Sequence, residues 1–269
     1  MSEASTDPLA GFEHTTATYD GETRPVFRAG DGPGIVVMSE IPGITPSVAG
    51  FARRLVDAGY TVAMPSLFGT PGKERSTGYL LSSLTRACIS KEFTAMAVGE
   101  TSPIVSWLRQ LAADLHAECG GPGVGAIGMC LTGGFALPMM VEPAVVAPVL
   151  SQPSLPLPFG RRRQGDLGVS PDELATIRAR VADEPCPVLA MRFTNDGFVR
   201  KSRFDRLEAE LGAGLVRVEI DSSPGNPHGI GRAAHSVVTE DLVDEEGHPT
   251  RAALDQVLAF FAERLAPAS

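Results

Sequence analysis

The strongest candidate for a reactive side chain is a cysteine in the stretch "GAIGMCLTGGFAL" at residues 125–137. Cys130 lies between a short apolar run and a group of glycines, just before a predicted helix. This arrangement is typical of a nucleophile elbow, in which the reactive side chain lies on a sharp strand-to-helix turn. The small residues that such a tight turn needs are present at Gly128, Gly133 and Gly134. The pattern therefore predicts that Cys130 is a nucleophile.

The predicted elbow also suggests how the sulfur is activated. The N-terminus of the following helix carries a partial positive charge, which favours a thiolate. The backbone N–H of Leu131 would face the oxyanion that develops during acyl transfer. The alternative is a buried structural cysteine, and we expect that simpler role for Cys88, Cys119 and Cys186.

Two further residues complete a possible triad because each follows a later apolar run. Asp196 follows "VLAMRF", although an Asp-Gly pair is also a common ordinary turn. His228 lies in the Pro/Gly-rich loop after "LVRVEID", and His235 is a competitor seven residues further on. His228 is nearer the strand end and is flanked by glycine, so it is the favoured histidine. The order nucleophile, acid, histidine is that of α/β-hydrolases.

Other kinds of site are disfavoured by the same sequence. The stretch "GVGAIG" at residues 123–128 matches a dinucleotide-binding pattern, but its glycines lie within the predicted strand and Pro148 stands where an acidic residue is needed. The four cysteines and five histidines show no spacing of a metal site. We expect neither a metal nor a cofactor.

Composition limits the partners and the compartment. The chain has 269 residues and a net charge of −9, which argues against nucleic acid or an anionic membrane as the main partner. It contains no run of about 18 apolar residues and no secretory signal, so a cytoplasmic location is the default. The expected partner is a small-molecule substrate. The oligomeric state is left open between a monomer and a homodimer.

The elements that must position these residues alternate along the chain. Predicted strands cover residues 34–40, 60–67, 124–129, 144–151, 187–193 and 215–221. Predicted helices cover residues 47–58, 101–117, 131–141, 170–183, 201–211 and 250–265, with Ser170 and Glu173 as a capping box. Apolar strands alternating with helices predict a mostly parallel sheet covered by helices on both faces. Ligands in such sheets bind beyond the carboxyl ends of the strands.

We interpret residues 1–269 as a single domain with two additions. Residues 1–30 form an N-terminal extension, with a hairpin over residues 15–28 that turns at "DGETR". Residues 152–169 are rich in proline and glycine and read as a loop insertion near the site. Residues 70–100 also interrupt the alternation. The three arginines Arg161–Arg163 are expected to lie in a solvated loop.

The sequence resembles the dienelactone hydrolase family, a branch of the α/β-hydrolases with a cysteine nucleophile. The resemblance rests on "GMCLTGG", "SEIPGI" after an early strand, "DGFV" after a later strand, and "HG" near the end, and it covers roughly residues 30–265. It implies an α/β-hydrolase fold and a hydrolase without a cofactor. One departure is Thr132, which stands where the family often has glycine and adds one residue before the double glycine.

The resemblance also implies roles for other residues. Glu40 would contact the resting cysteine and control its ionisation, and Ile41 would supply the second oxyanion N–H. A helix-capping or solvent-facing glutamate is the alternative for Glu40. Family substrates often carry a carboxylate held by arginines, so an anionic substrate is an open possibility. The candidate basic residues are Arg86, Lys91, Arg200, Lys201 and Arg203.

The predicted activity is hydrolysis of a small lactone or activated ester of the dienelactone type. Cys130, His228 and Asp196 would act through an acyl-thioester. One alternative is a thioesterase or other acyl hydrolase of the same fold, acting on a natural-product or CoA-type substrate. The other is a binding protein that kept the fold and lost turnover.

Overall fold

The computed structural model describes residues 7–89, 99–154, 165–184 and 186–266. Its strands are β1 (Glu13–Tyr19), β2 (Glu22–Ala29), β3 (Gly34–Met38), β4 (Thr61–Pro65), β5 (Val124–Met129), β6 (Val145–Ser151), β7 (Val188–Phe193) and β8 (Leu215–Ile220). The α-helices in the described ranges are α1 (Pro46–Asp57), α2 (Thr77–Ile89), α3 (Ile104–Cys119), α4 (Gly133–Met139), α5 (Pro171–Asp183), α6 (Lys201–Leu211) and α7 (Pro249–Leu265).

The strands form a single sheet in the order β1-β2-β4-β3-β5-β6-β7-β8. The six strands from β4 to β8 in this order pair in parallel, and β1 and β2 add an antiparallel hairpin at the β4 edge. The predicted hairpin is present, and it turns at Asp20 and Gly21, whose φ angles are 53° and 82°. Two consecutive positive φ angles are what a two-residue turn needs to match the twist of its strands.

The central strands are apolar throughout because the sheet is covered on both sides. In β3, Val36 and Met38 pack into one core cluster, while Ile35 and Val37 pack into the other. Successive side chains of a strand point to opposite faces. A strand buried on both faces therefore reads as a continuous apolar run rather than as an alternating one.

The helices divide between the two faces of the sheet. One core cluster includes residues from α3, α4, α5 and α6, and the other includes residues from α1 and α7. α1 begins after Thr45, whose side chain accepts a hydrogen bond from the N–H of Val48 and caps the helix. This two-sided layering confirms the predicted α/β-hydrolase fold class.

The structure differs from the sequence-based prediction mainly at helix ends and between residues 70 and 100. Helix α2 lies in that interval, where we predicted only an interruption. Helix α3 starts at Ile104, directly after Pro103, rather than at residue 101. Proline disfavours helical geometry in the residue before it, which accounts for the later start. Among the described helices, none combines the length and apolarity needed to cross a bilayer.

Candidate active site

The candidate site lies at the carboxyl edge of the parallel strands. β5 leads into Cys130, β7 into the turn at Asp196, and β8 into the long loop over residues 221–248. β3 leads into Glu40 and Ile41. Because β3 and β5 are neighbours, and β6 separates β5 from β7, the segments that follow these strands meet at one edge of the sheet.

Cys130 has the backbone geometry of a nucleophile elbow. Its φ angle is +56°, a left-handed conformation that few non-glycine residues adopt. Residues Cys130–Thr132 form a 3₁₀ turn before α4 begins at Gly133. A Cβ atom on Gly128 would lie 2.0 Å from the carbonyl oxygen of Thr132, so only glycine fits there. The strained conformation at a strand-to-helix turn is typical of a functional residue.

Thr132, the departure from the family pattern, ties the elbow to the neighbouring strand. Its hydroxyl accepts a hydrogen bond from the N–H of Met129 at 2.8 Å and lies 2.9 Å from the carbonyl oxygen of Met38. It is fully buried. The hydroxyl therefore joins the ends of β3 and β5, and the additional residue is accommodated in the 3₁₀ turn.

Asp196 is buried in the turn after β7, with its carboxylate engaged on both sides. Its Oδ1 accepts a hydrogen bond from the N–H of Phe198 at 2.8 Å, and its Oδ2 lies 2.6 Å from Nδ1 of His235. The N–H of Val199 also points to Oδ1, at 3.4 Å. An ordinary Asp-Gly turn would account for the first contact but not for the buried pair with histidine.

The histidine that meets Asp196 is His235, and this corrects our preference for His228. Cys130 and Asp196 both raise the pKa of His235, which links the three residues electrostatically. His228 is exposed, and its ring lies edge-on to that of His248 at a centroid distance of 5.5 Å. Nearness to the strand end was the wrong criterion, because the loop passes through exposed residues before it turns back into the protein.

The backbone at His235 is fixed by a second aspartate. One oxygen of Asp241 accepts hydrogen bonds at 2.8 Å from the N–H groups of both His235 and Ser236. The ring of Phe198 packs edge-on against the imidazole at a centroid distance of 5.6 Å. These contacts leave the imidazole little freedom to turn away from Asp196.

The side chains of Cys130 and Asp196 both act on the charge of His235. Burial lowers the pKa of His235, but the charges and hydrogen bonds of Cys130 and Asp196 raise it more, so that its pKa lies well above its ordinary value. The imidazole of His235 is therefore protonated more readily than that of an ordinary histidine.

Glu40 is buried, but its contacts differ from the predicted contact with the cysteine. Its two oxygens accept hydrogen bonds from the hydroxyls of Ser236, at 2.5 Å, and Thr239. Burial raises the pKa of Glu40 above its ordinary value. These two hydrogen bonds and the charges of His235 and Arg75 act in the opposite direction but do not outweigh burial. The carboxylate is therefore held by the loop that carries His235 rather than by the thiol of Cys130.

The two predicted oxyanion donors lie at the ends of adjacent strands. Ile41 and Leu131 are both buried, after β3 and at the start of the turn after β5, respectively. The N–H groups in the first turn of a helix have no acceptor within that helix, which leaves the Leu131 N–H available. The position is compatible with the predicted role, which stays a prediction.

The predicted substrate-binding cations are dispersed. Arg203 is buried and donates to the carbonyl oxygen of Pro153 at 2.9 Å, and burial lowers its pKa to about 10. Lys201 pairs with Asp205 on the surface of α6, and Arg200 is exposed directly before that helix. Arg203 and Lys201 thus have partners within the protein, and their predicted role as substrate ligands stays a prediction. Lys91, the side chain of Arg86, and Arg161–Arg163 lie outside the described residues.

Sequence reasoning missed three residues of the site. Ser154 contacts Cys130, Phe198 contacts His235, and the charge of Arg75 acts on Glu40. The rule that ligands bind just after the strands could have drawn attention to Ser154, which follows β6. No local signal identifies Arg75. Within the described part of the chain, no cluster of three metal-ligating side chains is found.

The sheet, the strained elbow at Cys130 and the Asp196–His235 pair define a protein of the α/β-hydrolase class. A sequence model of the dienelactone hydrolase family matches residues 23–265. The chain therefore belongs to the dienelactone hydrolase family and is a carboxylic ester hydrolase.

Structural comparisons agree with this fold. A candidate dienelactone hydrolase from Klebsiella pneumoniae subsp. pneumoniae MGH 78578 superposes with a TM-score of 0.61 at 16% identity, covering 94% of this chain and 98% of the other. A dienelactone hydrolase from Anabaena variabilis ATCC 29413 gives a TM-score of 0.58 at 17% identity, with coverages of 95% and 98%. A thioesterase domain from the curacin biosynthetic pathway gives 0.55 at 10% identity, with coverages of 92% and 99%. A comparison with curated protein sequences gives no match.

Proposed function

We propose that the protein hydrolyses a small lactone or activated ester through Cys130, His235 and Asp196, by way of an acyl-thioester. The observation that carries this proposal is the pair of a left-handed Cys130 and a histidine, His235, that interacts electrostatically with it and lies 2.6 Å from a buried aspartate. This is the geometry of nucleophile, base and orienting group.

In the first step, the thiolate sulfur of Cys130 attacks the carbonyl carbon of the substrate. The carbonyl oxygen becomes an oxyanion, which the N–H groups of Ile41 and Leu131 stabilise. Collapse of this intermediate breaks the bond to the leaving oxygen and forms a thioester. A leaving group that is stable as an anion suits this step, because no strong acid has to protonate it.

In the second step, His235 serves as the base that activates water. The negative charge on Cys130 is one of the causes that raise the pKa of His235. Acylation removes that charge, so the pKa of His235 falls and the neutral imidazole becomes accessible. The histidine thus becomes a base at the stage that needs one. In a lactone, the leaving oxygen stays attached to the acyl group and can assist.

The surroundings of the triad favour a substrate with an apolar part and a negative charge. Phe198 is 59% exposed, although its ring touches His235, so an apolar surface is available beside the base. Arg75 is exposed, and its charge reaches Glu40. It is a further candidate, beside the basic residues predicted from the sequence, for holding a substrate carboxylate. A cytoplasmic location, where the thiol stays reduced, agrees with this chemistry.

The test is turnover of a substrate panel with matched cysteine variants. Wild-type protein, Cys130→Ala and the control Cys119→Ala are assayed on an enol lactone, an aryl ester, an alkyl ester and an acyl thioester. We expect turnover of the lactone and aryl ester, loss of at least about 10³-fold in Cys130→Ala, and little change in Cys119→Ala. Intact mass spectrometry of quenched reactions should detect the acyl group on the peptide that contains Cys130.

Three outcomes would overturn the proposal. Turnover that survives Cys130→Ala would remove the cysteine from the mechanism. Turnover of the thioester alone would assign the protein to the thioesterase alternative. A wild-type protein that binds the panel without turnover would instead be a binding protein on a hydrolase fold.

A further inference from the structure

Ser154 contacts the candidate nucleophile at two points. Its backbone N–H donates to the carbonyl oxygen of Cys130 at 2.8 Å, and its hydroxyl oxygen lies 3.2 Å from the sulfur of Cys130. Ser154 is 5% exposed, so its hydroxyl is shielded from bulk water. The hydroxyl of Ser154 is therefore a polar neighbour of the sulfur, in addition to the electrostatic partner His235.

The segment that carries Ser154 is held from three directions. Gln152 has a φ angle of +34°, its N–H donates to the carbonyl oxygen of Met191 at 2.8 Å, and its side-chain oxygen accepts from the N–H of Val237 at 3.3 Å. The carbonyl oxygen of Pro153 accepts from the buried guanidinium of Arg203 at 2.9 Å. Contacts to β7, to the histidine loop and to α6 thus fix the position of the serine.

In the proposed mechanism Cys130 reacts as a thiolate, and this sets the direction of the contact between the hydroxyl and the sulfur. A thiolate has no proton, so only the serine hydroxyl can donate between these two atoms. We propose that the Ser154 hydroxyl donates a hydrogen bond to the Cys130 thiolate and keeps the sulfur ionised and in position for attack. This inference rests on the proposed function and adds a positioning residue to it.

The same hydrogen bond serves both halves of the reaction. During acylation, the sulfur uses an electron pair to bond to the carbonyl carbon and loses its charge, which weakens the contact. During deacylation, the carbon–sulfur bond breaks and the electron pair returns to sulfur, where Ser154 again donates to the thiolate. A donor to the departing sulfur makes it a better leaving group.

The test is the pH dependence of alkylation of Cys130 by iodoacetamide, followed by peptide mass spectrometry. Wild type, Ser154→Ala, Ser154→Thr and the control Ser39→Ala are compared from acid to alkaline pH. Ser39 is a matched control because it is a fully buried serine whose hydroxyl has no hydrogen-bond partner among the described residues. Circular dichroism melts identify any variant that fails to fold.

Loss of a hydrogen bond to a charged group is expected to raise the labelling midpoint of Ser154→Ala by about one pH unit. A less acidic thiol is more nucleophilic once ionised, so the alkaline plateau rate should rise by roughly threefold. The labelling curves of wild type and Ser154→Ala should therefore cross. A variant whose structure is only looser would expose the sulfur at every pH, so its curve would not cross that of wild type. Ser154→Thr, which keeps the hydroxyl, should restore most of the wild-type profile, and Ser39→Ala should overlie wild type.

An unchanged midpoint in folded Ser154→Ala would overturn the inference. A lower midpoint would also overturn it, because the serine would then be accepting a proton from a resting thiol. The proposed function fails separately, if Cys130→Ala retains turnover. If wild type turns over substrate through Cys130 and Ser154→Ala has the wild-type profile, only the role of Ser154 is lost.

Discussion

The loop between β8 and α7 has two halves that carry one candidate histidine each. Residues 221–233 are mostly exposed, and His228 lies among them against another histidine, the half-buried His248. Residues 234–239 are buried except for a half-buried His235. Both halves follow the same strand and both contain a histidine, but only the second contacts the candidate catalytic residues.

The difference shows that the candidate catalytic histidine is distinguished by the residues that fix its position. His235 is held through its ring by Asp196 and through its backbone by Asp241. The next residue, Ser236, donates to the buried Glu40 at 2.5 Å. The first half of the loop also bonds to the turn after β7, where the side chain of Asn195 donates to the carbonyl oxygen of Arg232 at 3.0 Å. The backbone N–H of His228, however, donates locally, to the side-chain oxygen of Asn226.

The largest expected effect is the contrast between the two histidines. His235→Ala should lower kcat/KM for the best substrate of the panel by about 10³-fold or more, because the base and the cationic partner of the thiolate are both lost. His228→Ala should stay within about twofold of wild type. Steady-state kinetics on the two purified variants measures the contrast, and an inactive His228→Ala protein with an active His235→Ala protein would reverse it.

The next prediction concerns the aspartate that orients His235. Asp196→Asn should lower kcat/KM by roughly 10²–10⁴-fold, since the amide favours the wrong tautomer of the imidazole. It also removes a cause of the raised pKa of His235, so the imidazolium should lose its proton at lower pH and the thiol should ionise at higher pH. The pH profile of Cys130 alkylation reports the second shift.

The matched control for Asp196→Asn is Asp221→Asn. Asp221 follows the neighbouring strand β8, but it is exposed and bonds only to nearby groups at Ser223 and Thr194. Its variant should keep the activity and the alkylation profile of wild type. Equal losses in both variants would mean that any aspartate at this edge matters, and the specific pair with His235 would lose its support.

A smaller effect is expected from the aspartate that fixes the loop backbone. Asp241→Ala leaves two N–H groups without their carboxylate, which should lower the free energy of unfolding by about 1–3 kcal/mol and reduce kcat more than it raises KM. Denaturant melts and steady-state kinetics measure the two changes. Asp244→Ala, which removes exposed ion pairs to Arg54 and Arg251, should have the smaller effect on both.

The smallest expected effect concerns the aromatic ring beside the histidine. Phe198→Ala should raise KM for aryl esters by about 3–10-fold and leave alkyl esters nearly unchanged, because the lost contact is an apolar and planar one. The control is Val243→Ala, another exposed apolar side chain, near the start of α7. Equal changes for both ester classes would argue against a substrate contact at Phe198.

Much of the fold could be predicted from the sequence because the relevant signals are local. The buried strands read as short apolar runs, and the structure places β5, β6 and β7 within a residue or two of their predicted ends. Helix α5 begins after Ser170, whose hydroxyl accepts from the N–H of Glu173 as predicted. Helix α2 was missed because it lies in a stretch whose polar residues obscure any apolar periodicity.

The sequence by itself determined the apolar strands, the helix caps and the glycines around Cys130, since each depends on neighbours within a few residues. Only the tertiary structure decided that His235 rather than His228 meets Asp196, that Glu40 bonds to Ser236 and Thr239, and that Ser154 reaches the sulfur. These contacts join residues far apart in the chain. Their formation depends on how loops return over the sheet edge, where buried polar groups must find partners that no local pattern specifies.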